Sequence, residues 1–101
     1  MKNLTINHSI YAGNETRGGY RAMSATLDGN SILTDIANPQ VVDFVERAID
    51  EVINRAITSA EQAISINISL PAQITLSDDI AAHIIAKYKA DPIVNSISFS
   101  N

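Results

Sequence analysis

With 101 residues, 7 Lys and Arg against 11 Asp and Glu, and a formal charge of -4, the chain is sized for one mildly acidic domain, residues 1–101, with a single core. Hydrophobic residues make up 46% and aromatic residues 5%, which excludes disorder and predicts a core of Ile, Val, Leu and Ala rather than rings. The lack of cysteine excludes a disulfide scaffold, a thiolate zinc site and a cysteine nucleophile.

Leu4, Ile6, His8 and Ile10 alternate with Thr5, Asn7, Ser9 and Tyr11, which predicts a half-buried strand over 3–11. The run from Gly13 to Gly19 suits turns and positive φ, so the chain reverses there through a loop, and a second strand follows over 20–27. Asp28-Gly29-Asn30 signals a tight turn, after which Ile32, Thr34 and Ile36 share one face of a third strand. Asn38 and Pro39 read as N-cap and first residue of a helix over 39–61. Its apolar stripe runs from Val41 and Val42 through Val45, Ala48, Ile49, Val52, Ile53, Ala56 and Ile57 to Ala60, with Asp43/Arg47 and Glu51/Arg55 spaced as i,i+4 pairs. Ile64, Ile66, Ile68 and Leu70 mark a fourth strand ended by Pro71, with Ile74 and Leu76 as a short extension. Ser77 caps a second helix with Asp78 and Asp79 in its first turn, Lys87 and Lys89 at its end, and Ile80, Ala81, Ile84, Ile85 and Tyr88 as its buried stripe. Asp91-Pro92 stops it, and Ile93, Asn95, Ile97 and Phe99 alternate as a last strand. The predicted fold is α+β, a two-layer sandwich of order β-β-β-α-β-α-β with one mainly antiparallel sheet and both helices on one face.

The candidate contact site is the loop containing Asn14, Arg17, Gly18 and Gly19, with Tyr20 and Arg21 beyond it. It is the one local basic spot on an acidic chain, and its glycines free backbone N–H groups for a partner or an anion. It leads into a strand rather than a helix, so neither a P-loop nor a dinucleotide fingerprint is met. Its glycines also predict mobility in the free protein. Asp43, Glu46 and Asp50 form a second candidate, an acidic helix face suited to a basic partner. His8 lies in phase with the core positions and reads as a core or edge histidine with one hydrogen bond, whereas His83 reads as solvated.

No serine lies in a nucleophile elbow or a Ser-x-x-Lys motif, and neither histidine has a metal ligand at a recognisable spacing, so the chain reads as non-enzymatic and free of cofactor and metal. The seven cations are too scattered for a phosphate-binding face, which argues against direct nucleic-acid binding. The first residues lack the apolar stretch of a signal peptide and no apolar run reaches the ~20 residues of a membrane span, so the expected location is the cytoplasm. The solvent faces of the strands, Thr5, Asn7, Ser9, Ser65, Asn67, Ser69, Val94, Ser96 and Ser98, carry no charge, which invites pairing with a second copy or a partner.

Gly18-Gly19-Tyr20, Leu27-Asp28-Gly29, Phe44 and the run Ala48 to Ile53 together resemble the β-β-β-α-β core of HicB-type antitoxins, over about half of the chain. The Asp-Leu-Pro-Gly element and Thr-x-Glu-Glu-Ala helix start of that family are replaced by Asn38-Pro39-Gln40. The resemblance implies an antitoxin-like neutraliser. The leading expectation is a small protein that occupies a partner's surface as an inhibitor, neutraliser or adaptor. The alternative is an oligomeric module that holds an anionic metabolite or nucleotide through the Gly/Arg loop.

Overall fold

The structure is a computed structural model that describes residues 1–100. Its elements are β1 (Lys2–Tyr11), β2 (Tyr20–Leu27), β3 (Asn30–Asp35), α1 (Val41–Thr58), β4 (Ile64–Ser69), α2 (Asp78–Lys89) and β5 (Val94–Ser100). They form the expected α+β sandwich, with one five-stranded sheet in the order β3-β2-β1-β4-β5. The sheet is mixed. β1–β2 and β2–β3 pair antiparallel, whereas β1–β4 and β4–β5 pair parallel. The parallel pairs follow from the connections: a tight turn can only return a strand antiparallel, whereas α1 and α2 carry the chain back to run in the same direction.

At the β2–β3 turn Asp28 and Gly29 both adopt positive φ, 49° and 89°, which matches a two-residue turn whose twist suits a hairpin. Asp28 is also tied to β1, because its N–H donates to the Asn3 carbonyl at 2.9 Å and its carboxylate accepts from the Asn3 N–H at 3.0 Å. β3 is out of the phase that alternation predicts. The pairing shifts between Ala25/Leu33 and Thr26/Ser31, so Ile32 is the extra residue of a bulge and Leu33 meets the helix side in place of Ile32. A similar shift between Ile64 and Ser65 makes Asn95 the extra residue of β5, and it buries Val94, which simple alternation puts on the solvent face.

The core is one continuous cluster in which Leu4 and Ile6 of β1, Met23 and Ala25 of β2, and Ile66 and Ile68 of β4 meet Phe44, Val45, Ala48, Ile49 and Val52 of α1. Each fully buried Val, Ile or Phe contributes about 1.5–3 kcal/mol relative to exposure. α2 packs beside α1 with Ile84 and Tyr88 buried, and the Tyr88 hydroxyl donates to the Glu46 carbonyl at 3.1 Å. Burial pushes the Tyr88 phenol well above its usual range, with a nearby Asp50 carboxylate acting in the same direction. Ile57, Ala60 and Ile80, all counted in apolar stripes by their spacing, are exposed, and Ala60 lies beyond the end of α1. Ile74 and Leu76 form no strand, and Ile74 instead turns inward from the loop after Pro71, its N–H bonded to the Pro71 carbonyl.

α1 begins two residues later than Asn38-Pro39 implies. Gln40 is its N-cap and supplies no side-chain cap. Asn38 is taken up elsewhere: it adopts φ 53°, its Oδ1 accepts from the Arg21 N–H at 2.7 Å, and its own N–H donates to the Arg21 carbonyl at 3.2 Å. The other end of α1 closes with Glu61 N–H on the Ala56 carbonyl and Ala60 N–H on that of Ile57, which puts Ala60 at φ 55°. This is the Schellman arrangement, in which glycine usually fills the left-handed position. Ala60→Gly is therefore expected to stabilise the fold by ~0.5–1 kcal/mol, read as a higher midpoint in a urea melt with unchanged slope.

Candidate contact site at the β1–β2 end

The loop between β1 and β2 is built by Asn14. Its Oδ1 accepts from the Thr16 N–H at 2.9 Å, the Thr16 hydroxyl at 3.0 Å and the Arg17 N–H at 2.8 Å, while its own N–H donates to the Arg17 carbonyl at 2.7 Å. An asparagine bonded to the backbone two and three residues ahead is the local turn that this residue type favours. Gly13 and Gly19 are needed because the two loop arms touch: a Cβ on Gly13 would lie 2.7 Å from the Gly19 nitrogen, and one on Gly19 would lie 2.9 Å from the Tyr11 carbonyl oxygen. Gly18 faces open space.

Tyr11 and Tyr20 are paired across the ladder, and their rings stack at 4.6 Å between centroids and 20° between planes. The Arg17 guanidinium lies over the Tyr20 ring at 4.3 Å. The result is a layer of Arg17, Tyr20 and Tyr11 on the sheet face away from the helices. Arg21 does not join it. Alternation turns its side chain to the helix side, where it donates to the Pro39 carbonyl at 3.3 Å. Asn14, Gly18 and Gly19 shape the loop, and Arg17 and Tyr20 form its face. Two exposed isoleucines flank the end of the sheet, Ile10 at 73% and Ile36 at 57% exposure, and Tyr11 is 47% exposed. An open groove of about 610 Å³ runs beside the stack between Ile10, Tyr11, Tyr20 and Asn38.

Tyr11, Ile10 and Ile36 are the members that sequence reasoning missed. Tyr11 could have been found from register, since it is the residue that must face Tyr20 once strands 1 and 2 form a hairpin.

The uncovered face of the sheet continues from this end. Thr5, Asn7 and Ser9 of β1, Ser24 and Thr26 of β2, Thr34 of β3, Ser65, Asn67 and Ser69 of β4, and Ser96, Ser98 and Ser100 of β5 share it by register. On the β4–β5 half the side chains bond one another: Ser98 Oγ donates to Asn67 Oδ1 at 3.2 Å, and Asn67 Nδ2 donates to Ser100 Oγ at 3.4 Å.

The acidic helix face is largely engaged within the fold. Asp43 accepts from Arg47 at 3.0 Å, and Glu46 holds Lys87 of α2 at 2.8 Å, which leaves Asp50 exposed without an ion pair among the described residues. Glu51 holds Arg55 at 2.9 Å. Arg47 also holds Asp35 at 2.7 Å. The Asp35 carboxyl is thereby kept below its ordinary value of 3.8, first by the Ala37 N–H and then by Arg47. A depressed carboxylate contributes stability above its unfolded pKa, and that contribution is lost as the pH falls through the folded value. Asp35→Asn is thus expected to melt less steeply with falling pH below about 4 than the parent chain, in melting curves taken from pH 6 to 2.

His8 makes none of the hydrogen bonds expected of it: both ring nitrogens are shielded from solvent and have no partner among the described residues. His83 is exposed. No group of three or more His, Asp or Glu side chains is disposed to hold a metal among the described residues. No helix in the described residues is long and apolar enough to cross a membrane.

No known protein family matches the chain, and no curated protein matches it. The β-β-β-α-β order that the resemblance to HicB-type antitoxins implies is present over β1 to β4.

Proposed function

We propose that the protein is a small non-enzymatic binding module of the cytoplasm that acts by occupying the surface of a partner protein, with the end of the β1–β2 ladder as its contact. The observation that carries this reading is the Arg17–Tyr20–Tyr11 stack, in which Arg17 and Tyr11 are exposed and Tyr20 is half-buried, with exposed Ile36 near Tyr11 on the same face of the sheet. Tyrosine and arginine anchors set among apolar side chains are the make-up of interface hot spots. Tyrosine also brings a large contact area at little conformational cost, and here stacking has already ordered both rings.

A photo-crosslinking residue placed at Tyr20, and separately at exposed Ala82 of α2, tests the reading in the cells that make the protein. The expected result is a discrete protein adduct from position 20 and none from 82. Equal labelling from both positions, or none from position 20, would contradict it.

A second reading, self-association, is favoured by β5. This edge strand carries no charge and no proline between Val94 and Ser100, so nothing guards its outer edge against pairing with another copy. Sedimentation of the parent chain beside Ser98→Lys separates the readings: a dimer lost in the variant supports edge pairing, and a monomer in both removes it.

A further inference from the structure

On the helix side of the β1–β2 end, the first turn of α1, the loop after Pro71 and the start of α2 enclose a cleft of about 310 Å³. That lies at the small end of the range of small-molecule sites, which is about 300–1,000 Å³. Its walls are mainly apolar, with Val41 and Val42 on one side and Ile74 and Ile80 on the other, and its polar groups include His8 and Arg21.

Three features of these walls are unexplained by folding alone. The core contains no fully buried polar residue, yet the two shielded nitrogens of His8 have no partner among the described residues. An imidazole always carries at least one donor, and such groups are normally satisfied when removed from water. Arg21 is the diagonal neighbour of His8 on the same face, since His8 pairs with Met23 and Ile10 with Arg21. Its guanidinium has one long bond to the Pro39 carbonyl and no ion pair among the described residues, whereas Lys2, Arg47, Arg55 and Lys87 are all held by carboxylates. Finally, α1 opens at Val41 without a side-chain cap, so its first N–H groups add positive potential at the cleft wall.

We infer that this cleft is a binding site for a small monocarboxylate with a short aliphatic body. The carboxylate accepts from Arg21 and, once the His8 ring turns a shielded N–H into the cleft, from His8 as well, and the aliphatic part lies against Val42, Ile74 and Ile80. Ile80 is 39% exposed, so an aliphatic ligand covers apolar surface that the fold leaves wet. The inference stands apart from the partner-protein reading, whose stack faces the other side of the sheet.

Hexanoate, hexanol and hexylamine are suitable probes, titrated into the full chain by calorimetry while the imidazole resonances are followed by NMR. Hexanoate is expected to bind saturably and to move the His8 ring signals but not those of His83. Loss of a charged hydrogen bond should weaken it at least about ten-fold in Arg21→Gln, and the alcohol and amine should bind weaker by a similar factor. Ile80→Trp, which fills the mouth without touching a polar group, should also block binding, and Tyr20→Ala should leave it unchanged. Unmoved His8 signals, equal binding of hexylamine, or full affinity in both Arg21→Gln and Ile80→Trp would overturn the assignment.

Discussion

Val52→Asp is expected to leave the chain unfolded at 25 °C, whereas Ile57→Lys, five residues along the same helix, should change stability by less than about 0.5 kcal/mol. Val52 is 1% exposed at the centre of the α1 stripe, with no polar group arranged to receive a carboxylate, and Ile57 is 58% exposed. Burying an unpaired carboxylate there removes the Val52 contacts and adds a desolvation penalty of several kcal/mol, against a total stability of about 5–15 kcal/mol for a domain of this kind. Lysine at position 57 lies in the last turn, where a positive charge complements the helix end. Far-ultraviolet circular dichroism and urea melts of the two variants check the pair. Equal tolerance would mean that the buried face of α1 is wrongly assigned.

The second large effect is on binding. Arg17→Ala combined with Tyr20→Ala should weaken the partner captured at position 20 by at least about 30-fold, the ~2 kcal/mol that marks a hot spot, while the melting temperature stays nearly the same. Arg17 lies on Tyr20 and Tyr20 on Tyr11, and neither Arg17 nor Tyr20 belongs to the core cluster, so the fold should survive their loss. Surface plasmon resonance and thermal melts of the same preparation separate the outcomes. Full affinity in the double variant would move the contact to the exposed strand face or to Asp50. A fall in melting temperature that matches the loss of affinity would make the stack structural.

The parts of this fold that were legible in sequence are those governed by local chemistry. Asp28-Gly29 specifies its turn because both positions need positive φ, and Ser77 caps α2, its hydroxyl oxygen accepting from the Ile80 N–H at 3.3 Å. The strand at 64–69 follows from clean alternation, and the one at 20–27 from a less regular pattern in which Met23, Ala25 and Leu27 mark one face. The misreadings have tertiary causes. One extra residue at Ile32 reverses the facing of the rest of β3, and a bulge has no signature in a period-2 count. Asn38 has the chemistry of a cap, but Arg21 at the start of β2 offers it two backbone partners, and they win.

At the candidate site, the glycines and arginines marked the loop, but Arg17 lies outside β2 and folds back over the Tyr20 ring, whereas alternation within β2 turns Arg21 to the face opposite Tyr20. The carboxylate cleft was beyond reach of sequence reading. It joins His8 to Arg21, Val42, Ile74 and Ile80, and only the packing of two helices and a loop onto β1 and β2 brings them together.

Amide hydrogen exchange of the protein with and without its crosslinked partner tests the central claim most directly, because it compares every candidate surface in one measurement. The account predicts slowed exchange over residues 10–21 and 36–38, with α2 and the α1 turn around Asp50 unchanged. Protection confined to β5, or to the acidic turn of α1, with the β1–β2 end exchanging as in the free protein, would contradict it.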